Sequence, residues 1–376
     1  GQALGQAAMS AVSNQLRRAG AIFGTALFLL AAAPLGQADQ NTAPDFKIRE
    51  GKNGRLPKLN TALPRYVQVF GLFIHATSRV PEAKLLHAAD IAADFLDNNR
   101  DGKPDNPEVN NTLWSERSTV VMGYNERELD RLHDRLDDQV DDYALQGLFA
   151  TETLPKGGPH NANSSEFDAS IEEILHIITS IGYAETYPDV FGERRGSELA
   201  KAMDVARGGY FRSVPRRYPA GAWYSYDDRT CDYGCQVTEY VYWALTSLLD
   251  GQDFRNRGRD ISHEWKLNTP EKIRAKDKPV VKILTDPKYK LPTRLPDGKY
   301  QQTKKLSSVK LNASPGTDSI TLTAKFPPDT IVRLKKSHDL QQWIVAQNID
   351  DHDGTVSLPI DARASQAQFF RLRFSE

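Results

Sequence analysis

This chain contains little cysteine and little methionine, and its positive and negative charges nearly balance. Its 376 residues include two cysteines and three methionines, and the formal net charge is −1. Two cysteines exclude a disulfide-rich scaffold, and a near-neutral mixture of charges gives no basis for a nucleic-acid partner. Beyond the first 40 residues no apolar run approaches the roughly 20 residues of a bilayer-spanning helix. We therefore predict that the chain does not bind nucleic acid and that no segment beyond residue 40 spans a membrane.

The first 38 residues have the pattern of a secretory signal. Arg17 and Arg18 precede an apolar run over 19–33, and small residues surround a cleavage point after Ala38. Charge, length and small-residue end are those of a signal peptide. The sequence predicts a secreted, periplasmic or cell-envelope protein, with an uncleaved N-terminal anchor as the alternative. In such an oxidising compartment Cys231 and Cys235 are expected to form a disulfide. Two thiols can also bind metal, but no neighbouring Cys or His completes a four-ligand set.

Residues 97–108 match the calcium-loop pattern D-x-[DN]-x-[DN]-G-x5-E at every position. Gly102 stands where the loop must turn sharply, and the spacing offers Ca²⁺ a set of oxygens. The predicted ligands are Asp97, Asn99, Asp101, Asp105, Glu108 and the carbonyl of Lys103. Pro104 lacks the N–H that paired loops use for contact, so a lone structural site is expected. The alternative is an acidic surface turn rich in Asn, Asp and Gly.

The chain divides into an α+β arrangement of two parts. We expect a tether over 39–64, a mainly helical calcium-binding domain over 65–297 and a β-sandwich module over 305–376. The predicted helices are 81–96, 126–140, 164–181 with an end at Gly182, 197–206 and 235–249, and a strand is predicted within 113–122. Short alternating segments predict strands at 309–311, 320–326, 331–334, 343–345, 356–360 and 369–374.

The last 70 or so residues resemble the C-terminal β-modules of many secreted bacterial proteins. The resemblance is carried by the run 337–340 with Trp343 and by the run 369–372. It implies a structural appendage more than a binding role.

A second chemical pattern lies in the helix predicted over 164–181. Zinc hydrolases use H-E-x-x-H, which places two ligands one turn apart beside a carboxylate base. Here Glu172 replaces the first His, His176 is the second ligand, and Glu173 keeps the general-base position. Glu239, an acid among large apolar residues, would complete the site, because a buried carboxylate needs a partner.

Glu172, His176 and Glu239 together resemble the gluzincin arrangement of metallopeptidases. The resemblance implies a zincin-like domain binding Zn²⁺, or another divalent transition metal because two of the three ligands are carboxylates. The same residues can instead form i,i+4 and i,i+3 pairs on a helix surface. A ferritin-like di-iron site requires a second E-x-x-H, which the sequence does not contain.

Residues 206–228 are rich in aromatic and arginine side chains, which commonly line substrate clefts. Tyr224 or Tyr226 could stabilise an oxyanion with Arg207 as its charge partner. The alternative is that these aromatics simply pack a helix-poor region. His263, beside Glu264, is a weak reserve ligand.

Two functions follow from these patterns. The first is a secreted metal-dependent hydrolase acting on a peptide or other polymer, with Tyr224 and Glu173 as catalytic residues. The second is a calcium-stabilised extracellular binding or envelope protein without catalysis.

Overall fold

The computed structural model describes residues 40–136 and 140–302, and the backbone of strands between 308 and 375. The predicted signal peptide lies outside the described residues. The chain forms two compact units, Gly1–Gln301 and Gln302–Glu376. The mixture of helices and sheet in the first unit confirms the α+β class.

The described part of the first unit contains a five-stranded sheet of order β1-β2-β3-β4-β5. Its strands are β1 (Arg49–Glu50), β2 (Arg65–Val69), β3 (Leu72–Ala76), β4 (Thr119–Gly123) and β5 (Leu145–Phe149). The first three pair antiparallel, while β3, β4 and β5 pair in parallel. The described part of this unit is mainly helical, as expected, and the sheet adds a β layer of which the sequence predicted only the strand within 113–122, because strands this short leave little pattern among the helices around them.

The described helices of eight or more residues in this unit are α1 (Glu82–Leu96), α2 (Pro107–Ser115), α3 (Glu126–Leu136), α4 (Ser170–Ile177), α5 (Glu198–Ala206) and α6 (Tyr233–Leu248). Side chains alternate between the two faces of a strand, and both faces of β4 are covered. Val120 and Met122 join the large core with α1 and α4, while Val121 joins a smaller core with Leu132 and Leu136 of α3. The sheet is therefore buried between two layers.

The predicted tether over 39–64 is wrong for most of its length. Leu56, Leu59 and Leu63 are fully buried in the smaller core. The Asn53 amide donates to Nε2 of His75 at 3.0 Å, and Nδ1 of His75 lies 3.0 Å from the Leu63 carbonyl oxygen. The segment resembles a linker in sequence because its apolar residues are spaced by polar ones, and they pack against β3, β4 and α3, which lie later in the chain.

Three helix predictions agree closely with α1, α5 and α6, the helix predicted over 126–140 is α3 as far as Leu136, and the helix predicted over 164–181 requires correction at both ends. The predicted helix at 164 begins at Ser170, because Asp168 Oδ1 accepts the Ser170 hydroxyl at 2.8 Å just before the first turn. It also continues past Gly182 as a π-helical stretch, Ile178–Tyr183, and a short helix, Ala184–Thr186. A Cβ on Gly182 would lie 2.8 Å from Val109 of α2, so this glycine serves close packing and not helix termination.

Residues 113–122 are only in part a strand. Helix α2 continues through Ser115 before β4 begins at Thr119, and Arg117 between them has a positive φ of 51°. The β-branched run 119–121 and the apolar residues around it suggest a longer strand than the turn allows.

The second unit contains six described strands that coincide with the six predicted segments. They are β6 (Ser308–Ala313), β7 (Ser319–Lys325), β8 (Ile331–Ser337), β9 (Ile344–Ile349), β10 (Thr355–Asp361) and β11 (Phe369–Ser375). They pair antiparallel in two three-stranded sheets, β10-β7-β6 and β11-β8-β9. The sandwich packing of these sheets stays a prediction.

Candidate metal centre

Helix α4 brings three ionisable side chains into the interior of the first unit. Glu172, Glu173 and His176 are 6%, 4% and 6% exposed. Every residue of α4 is buried, so the partly exposed helix of the alternative interpretation is wrong, although Glu173 and His176 do form its i,i+3 pair. A carboxylate taken out of water must be paired, neutralised or bound to a cation. Charged groups on α4 therefore require a partner from a neighbouring element.

Helix α6 supplies that partner through Glu239, which is 8% exposed. One ligand atom from each of Glu172, His176 and Glu239 can be chosen so that all three lie within 4.8 Å of one another. Nε2 of His176 is 3.6 Å from Oε2 of Glu239, which is too long for a hydrogen bond. The structure thus brings together the three metal ligands predicted from the sequence.

Two of these ligand atoms are buried without a hydrogen bond. Among the described residues neither Nε2 of His176 nor Oε2 of Glu239 has a partner. Metal bonds of about 2.1 Å at a tetrahedral angle place two ligand atoms about 3.4 Å apart. The observed 3.6 Å is close to this spacing. The residues present therefore fit a divalent transition metal.

Glu173 lies against the other nitrogen of the same imidazole. Its Oε2 is 3.5 Å from Nδ1 of His176 and accepts a hydrogen bond from the Gln146 amide of β5 at 2.8 Å. A carboxylate at this position fixes the ring orientation and the tautomer of a metal-binding His. The geometry favours an orienting role for Glu173 over the general-base role expected from the motif. Gln146 gave no signal in the sequence, because it lies 27 residues from Glu173.

The centre carries an excess of negative charge. Burial and the charges of Glu239 and Glu173 raise the pKa of Glu172 to about 8. Burial and the charges of Glu239, Asp227 and Glu172 raise the pKa of Glu264 to about 8. Burial alone would lower the pKa of His176, but Glu239 and Glu173 outweigh it and raise that pKa well above its usual value. Such clustered shifts are typical of functional sites.

The buried arginine beside the centre does not neutralise these carboxylates by direct contact. Arg257 donates to the Gln252 side-chain oxygen at 2.7 Å and to the Tyr242 hydroxyl at 3.1 Å. Its guanidinium carbon stands 4.3 Å from the ring centroid of Phe167. Its charge lowers the pKa of Glu172 from a distance, as the fifth and weakest of the influences on that group.

Tyr224 and Arg207 both belong to a hydrogen-bonded network around Gln236. The Tyr224 hydroxyl donates to the Gln236 carbonyl at 2.8 Å, and Arg207 donates to the Gln236 side chain at 2.6 Å. Arg207 also binds Asp204 at 2.7 Å. Tyr226 is 3% exposed, and burial with the charges of Glu239, Tyr224, Glu264 and Glu172 raises its pKa. Tyr226 therefore suits the oxyanion role better than Tyr224.

The predicted disulfide is confirmed. Cys231 and Cys235 are bonded, with Cα atoms 5.4 Å apart. The bond joins the residue before the Asp232 N-cap to the first turn of α6, where the Asp232 carboxylate accepts the Cys235 N–H at 2.9 Å. It thus ties the aromatic segment to the helix that carries Glu239.

The predicted calcium loop connects two helices, as its pattern requires. Asp97 follows α1 directly, and Glu108 lies in the first turn of α2. The Asp97 carboxylate accepts the N–H groups of Asp101 at 2.9 Å and Gly102 at 2.7 Å. Gly102 has a φ of +83°, which explains the requirement for glycine.

The remaining predicted calcium ligands spread around this turn. Asp105 accepts the Asn98 N–H at 2.7 Å and a hydrogen bond from the Asn99 amide. Asp101 accepts the Lys103 N–H at 3.1 Å, while Glu108 accepts the Tyr187 hydroxyl at 2.9 Å. Among the described residues, no three of the loop carboxylates have ligand atoms within 4.8 Å of one another. The calcium site stays a prediction.

The loop also holds the segment that leads to the second unit. Tyr300 donates its hydroxyl to Asp97 at 2.6 Å, and Asn98 accepts the N–H groups of Thr293 and Arg294, each at 3.0 Å. The Asn106 amide donates to the Tyr289 carbonyl at 2.8 Å. Order in the loop is therefore coupled to the packing of residues 289–300.

Two histidines that carried no sequence signal meet at one carboxylate. Nε2 of His87 and Nε2 of His160 lie 2.7 and 2.8 Å from Oδ2 of Asp168. Burial raises the pKa of Asp168, but the hydrogen bonds from His160 and His87 outweigh it and hold that pKa below its usual range. The cluster is saturated with hydrogen bonds and fixes the start of α4.

A third group joins Asp227, His263 and Glu264, again with ligand atoms within 4.8 Å of one another. It includes the reserve ligand His263 and also Glu264, whose pKa the neighbouring carboxylates raise.

None of the helices in the described ranges has the length and apolar character needed to span a membrane. Comparison with known proteins yields no relative, since no family model, curated protein or solved structure matches the chain.

Proposed function

We propose that this chain is a secreted metal-dependent hydrolase with a zincin-like first unit and a structural calcium loop. The observation that carries the proposal is the pair of buried ligand atoms, His176 Nε2 and Glu239 Oε2, which face each other at 3.6 Å without hydrogen bonds. Together with Glu172 they form a donor set suited to Zn²⁺ or a similar divalent metal. Tight burial of such atoms is costly unless a cation is bound.

The protein residues would divide the work as follows. Glu172, His176 and Glu239 hold the metal, which when bound lowers the pKa of a water molecule to about 7. Glu173, 3.5 Å from Nδ1 of His176, would keep the ring aligned, with Gln146 holding Glu173 in turn. Tyr226, kept protonated by its raised pKa, donates a hydrogen bond to the developing oxyanion.

A closed structural metal site is the second candidate function. The three ligands are no more than 8% exposed, and structural zinc sites are closed whereas catalytic sites keep an open position. This observation favours the calcium-stabilised extracellular protein without catalysis. A peptide substrate follows from the gluzincin resemblance alone.

Metal content and hydrolysis together test the proposal. Purified full-length protein is expected to retain at least one zinc or similar metal per chain, measured by elemental analysis after dialysis. It should cleave fluorescently labelled casein or a mixed peptide library, and a chelator should stop the reaction. A metal-loaded chain that cleaves neither the casein nor the peptide library establishes the structural site instead, and a chain that binds no transition metal contradicts both.

Calcium is expected to stabilise the first unit through residues 97–108. Calcium at about ten times its Kd adds roughly 1.4 kcal/mol, which raises the Tm of a domain of this size by roughly 3–6 °C. The Asp101→Ala variant should have the same Tm in calcium and in chelator. The control is Asp189→Ala, at a side chain that is 98% exposed, and it should keep the difference in Tm. Equal Tm values for the wild type under both conditions would show that the loop is only a turn.

A further inference from the structure

Two chain segments that lie far apart in sequence pair beside the candidate metal centre. Tyr224 and Trp265 form an antiparallel bridge, and the Ser225 N–H donates to the Glu264 carbonyl at 2.8 Å. The Ser225 hydroxyl donates to the His263 carbonyl at 2.7 Å. This pairing holds Asp227 next to His263 and Glu264, so that their ligand atoms approach within 4.8 Å. The backbone therefore builds the group independently of any cation.

Glu264 is the buried member of this group. It is 6% exposed, and its carboxylate forms a long ion pair with His263. Its ion-pair contact, Nε2 of His263, is 3.8 Å away, which exceeds a hydrogen bond. A buried carboxylate in this state has a large unmet demand for a cation or a donor.

We propose that Asp227, His263 and Glu264 hold a second divalent cation beside the metal of Glu172, His176 and Glu239. The inference rests on the proposed function in that it assigns the second cation to the same reaction. Two carboxylates and one imidazole again form a donor set for Zn²⁺ or Mn²⁺. In hydrolases with two metals, the pair stabilises both the attacking and the leaving oxygen.

The two groups influence each other through Glu264. The charges of Glu239 and Glu172 from the first group, and of Asp227 from its own, all raise the pKa of Glu264. A cation on Glu264 therefore relieves repulsion that the first group also experiences.

The second cation lies nearer to solvent than the first. The His263 side chain is 61% exposed and Asp227 is exposed, whereas every ligand of the first group is buried. An exposed site retains water as a ligand and has room for substrate. We expect the second cation to bind more weakly and to exchange faster than the first.

Zinc titration of the full chain by calorimetry, with calcium held in excess, tests the second site. The wild type should bind two zinc ions per chain. His263→Ala and Asp227→Asn, both at exposed positions, should each weaken the second ion more than about 100-fold and leave the first. His133→Ala, a matched change on α3, should retain two ions.

The variants separate this inference from the proposed function. A single wild-type ion that survives in His263→Ala and disappears in Glu239→Gln overturns the second site and leaves the first. A single ion that disappears in His263→Ala and survives in Glu239→Gln supports the second site and contradicts the proposed one. Absence of any bound zinc overturns both.

Discussion

Glu239→Gln is expected to abolish the thermal stabilisation that zinc gives through the first group, Glu172, His176 and Glu239. Zinc at 100 times its Kd should stabilise the wild type by about 2.7 kcal/mol, or roughly 5–11 °C in Tm for a domain of this size. Glutamine preserves the shape of the side chain but removes the carboxylate that faces His176 Nε2 at 3.6 Å. Loss of a direct ligand should cost more than the roughly 10- to 100-fold typical of an outer partner.

Glu173→Gln provides the graded comparison. If Glu173 orients His176, its substitution should weaken zinc by about 10- to 100-fold and leave the stoichiometry unchanged. Glu185→Gln, at an exposed position on the short helix after α4, is the control and should behave as the wild type. The measurement is zinc affinity by competition with a chromophoric chelator. Equal affinity in Glu239→Gln and the wild type would contradict the site.

The metal-free protein is expected to lose stability as the pH rises from about 5 to 9. Glu172 and Glu264 have pKa values raised from 4.5 to about 8 in the folded state. Between these values the folded state binds more protons than the unfolded state, so raising the pH favours unfolding. One such carboxyl costs on the order of a few kcal/mol across the window. Because the carboxyls repel one another, their contributions do not add in full.

Bound zinc should weaken the dependence of stability on pH, since a bound cation stabilises the ionised carboxylates. Glu172→Gln should reduce the slope in the metal-free protein, and Glu185→Gln should preserve it. Urea unfolding at several pH values, with and without zinc, measures both effects. His75 acts in the opposite sense below pH 6.5, because burial lowers its pKa to about 4 and acidification then favours the unfolded state. If the stability of the metal-free protein instead rose steadily up to pH 9, the pKa values of Glu172 and Glu264 would not be raised in the folded state.

The orientation of Glu173 explains how a motif can be informative without fixing roles. The spacing of Glu172, Glu173 and His176 placed all three on one short helix, and that much follows from 3.6 residues per turn. Which nitrogen of His176 each carboxylate would face depends on the ring rotamer and on Gln146 from β5. Neither is encoded in the local pattern.

The fold shows the same division between local and distant information. Local periodicity and turn residues predict helix α1, the N-cap of α5 at Ser197 and segments of all six described strands in the second unit. The central sheet and the burial of residues 53–63 were missed, because short strands and spaced apolar residues acquire meaning only through the layers that cover them.

The sequence by itself determined the disulfide, the helix that ends at residues 97–108 and the placement of Glu172 and His176 on one helix, because each depends on spacing within a few residues. Only the tertiary structure brought Glu239 against His176, joined Asp227 with Glu264 and closed His87 and His160 on Asp168. In each of these contacts the two residues are 37 or more positions apart in the sequence, except for His160 and Asp168. The buried charge at the centre results from the packing of α4 against α6, and the energetic demand for a cation arises from that burial.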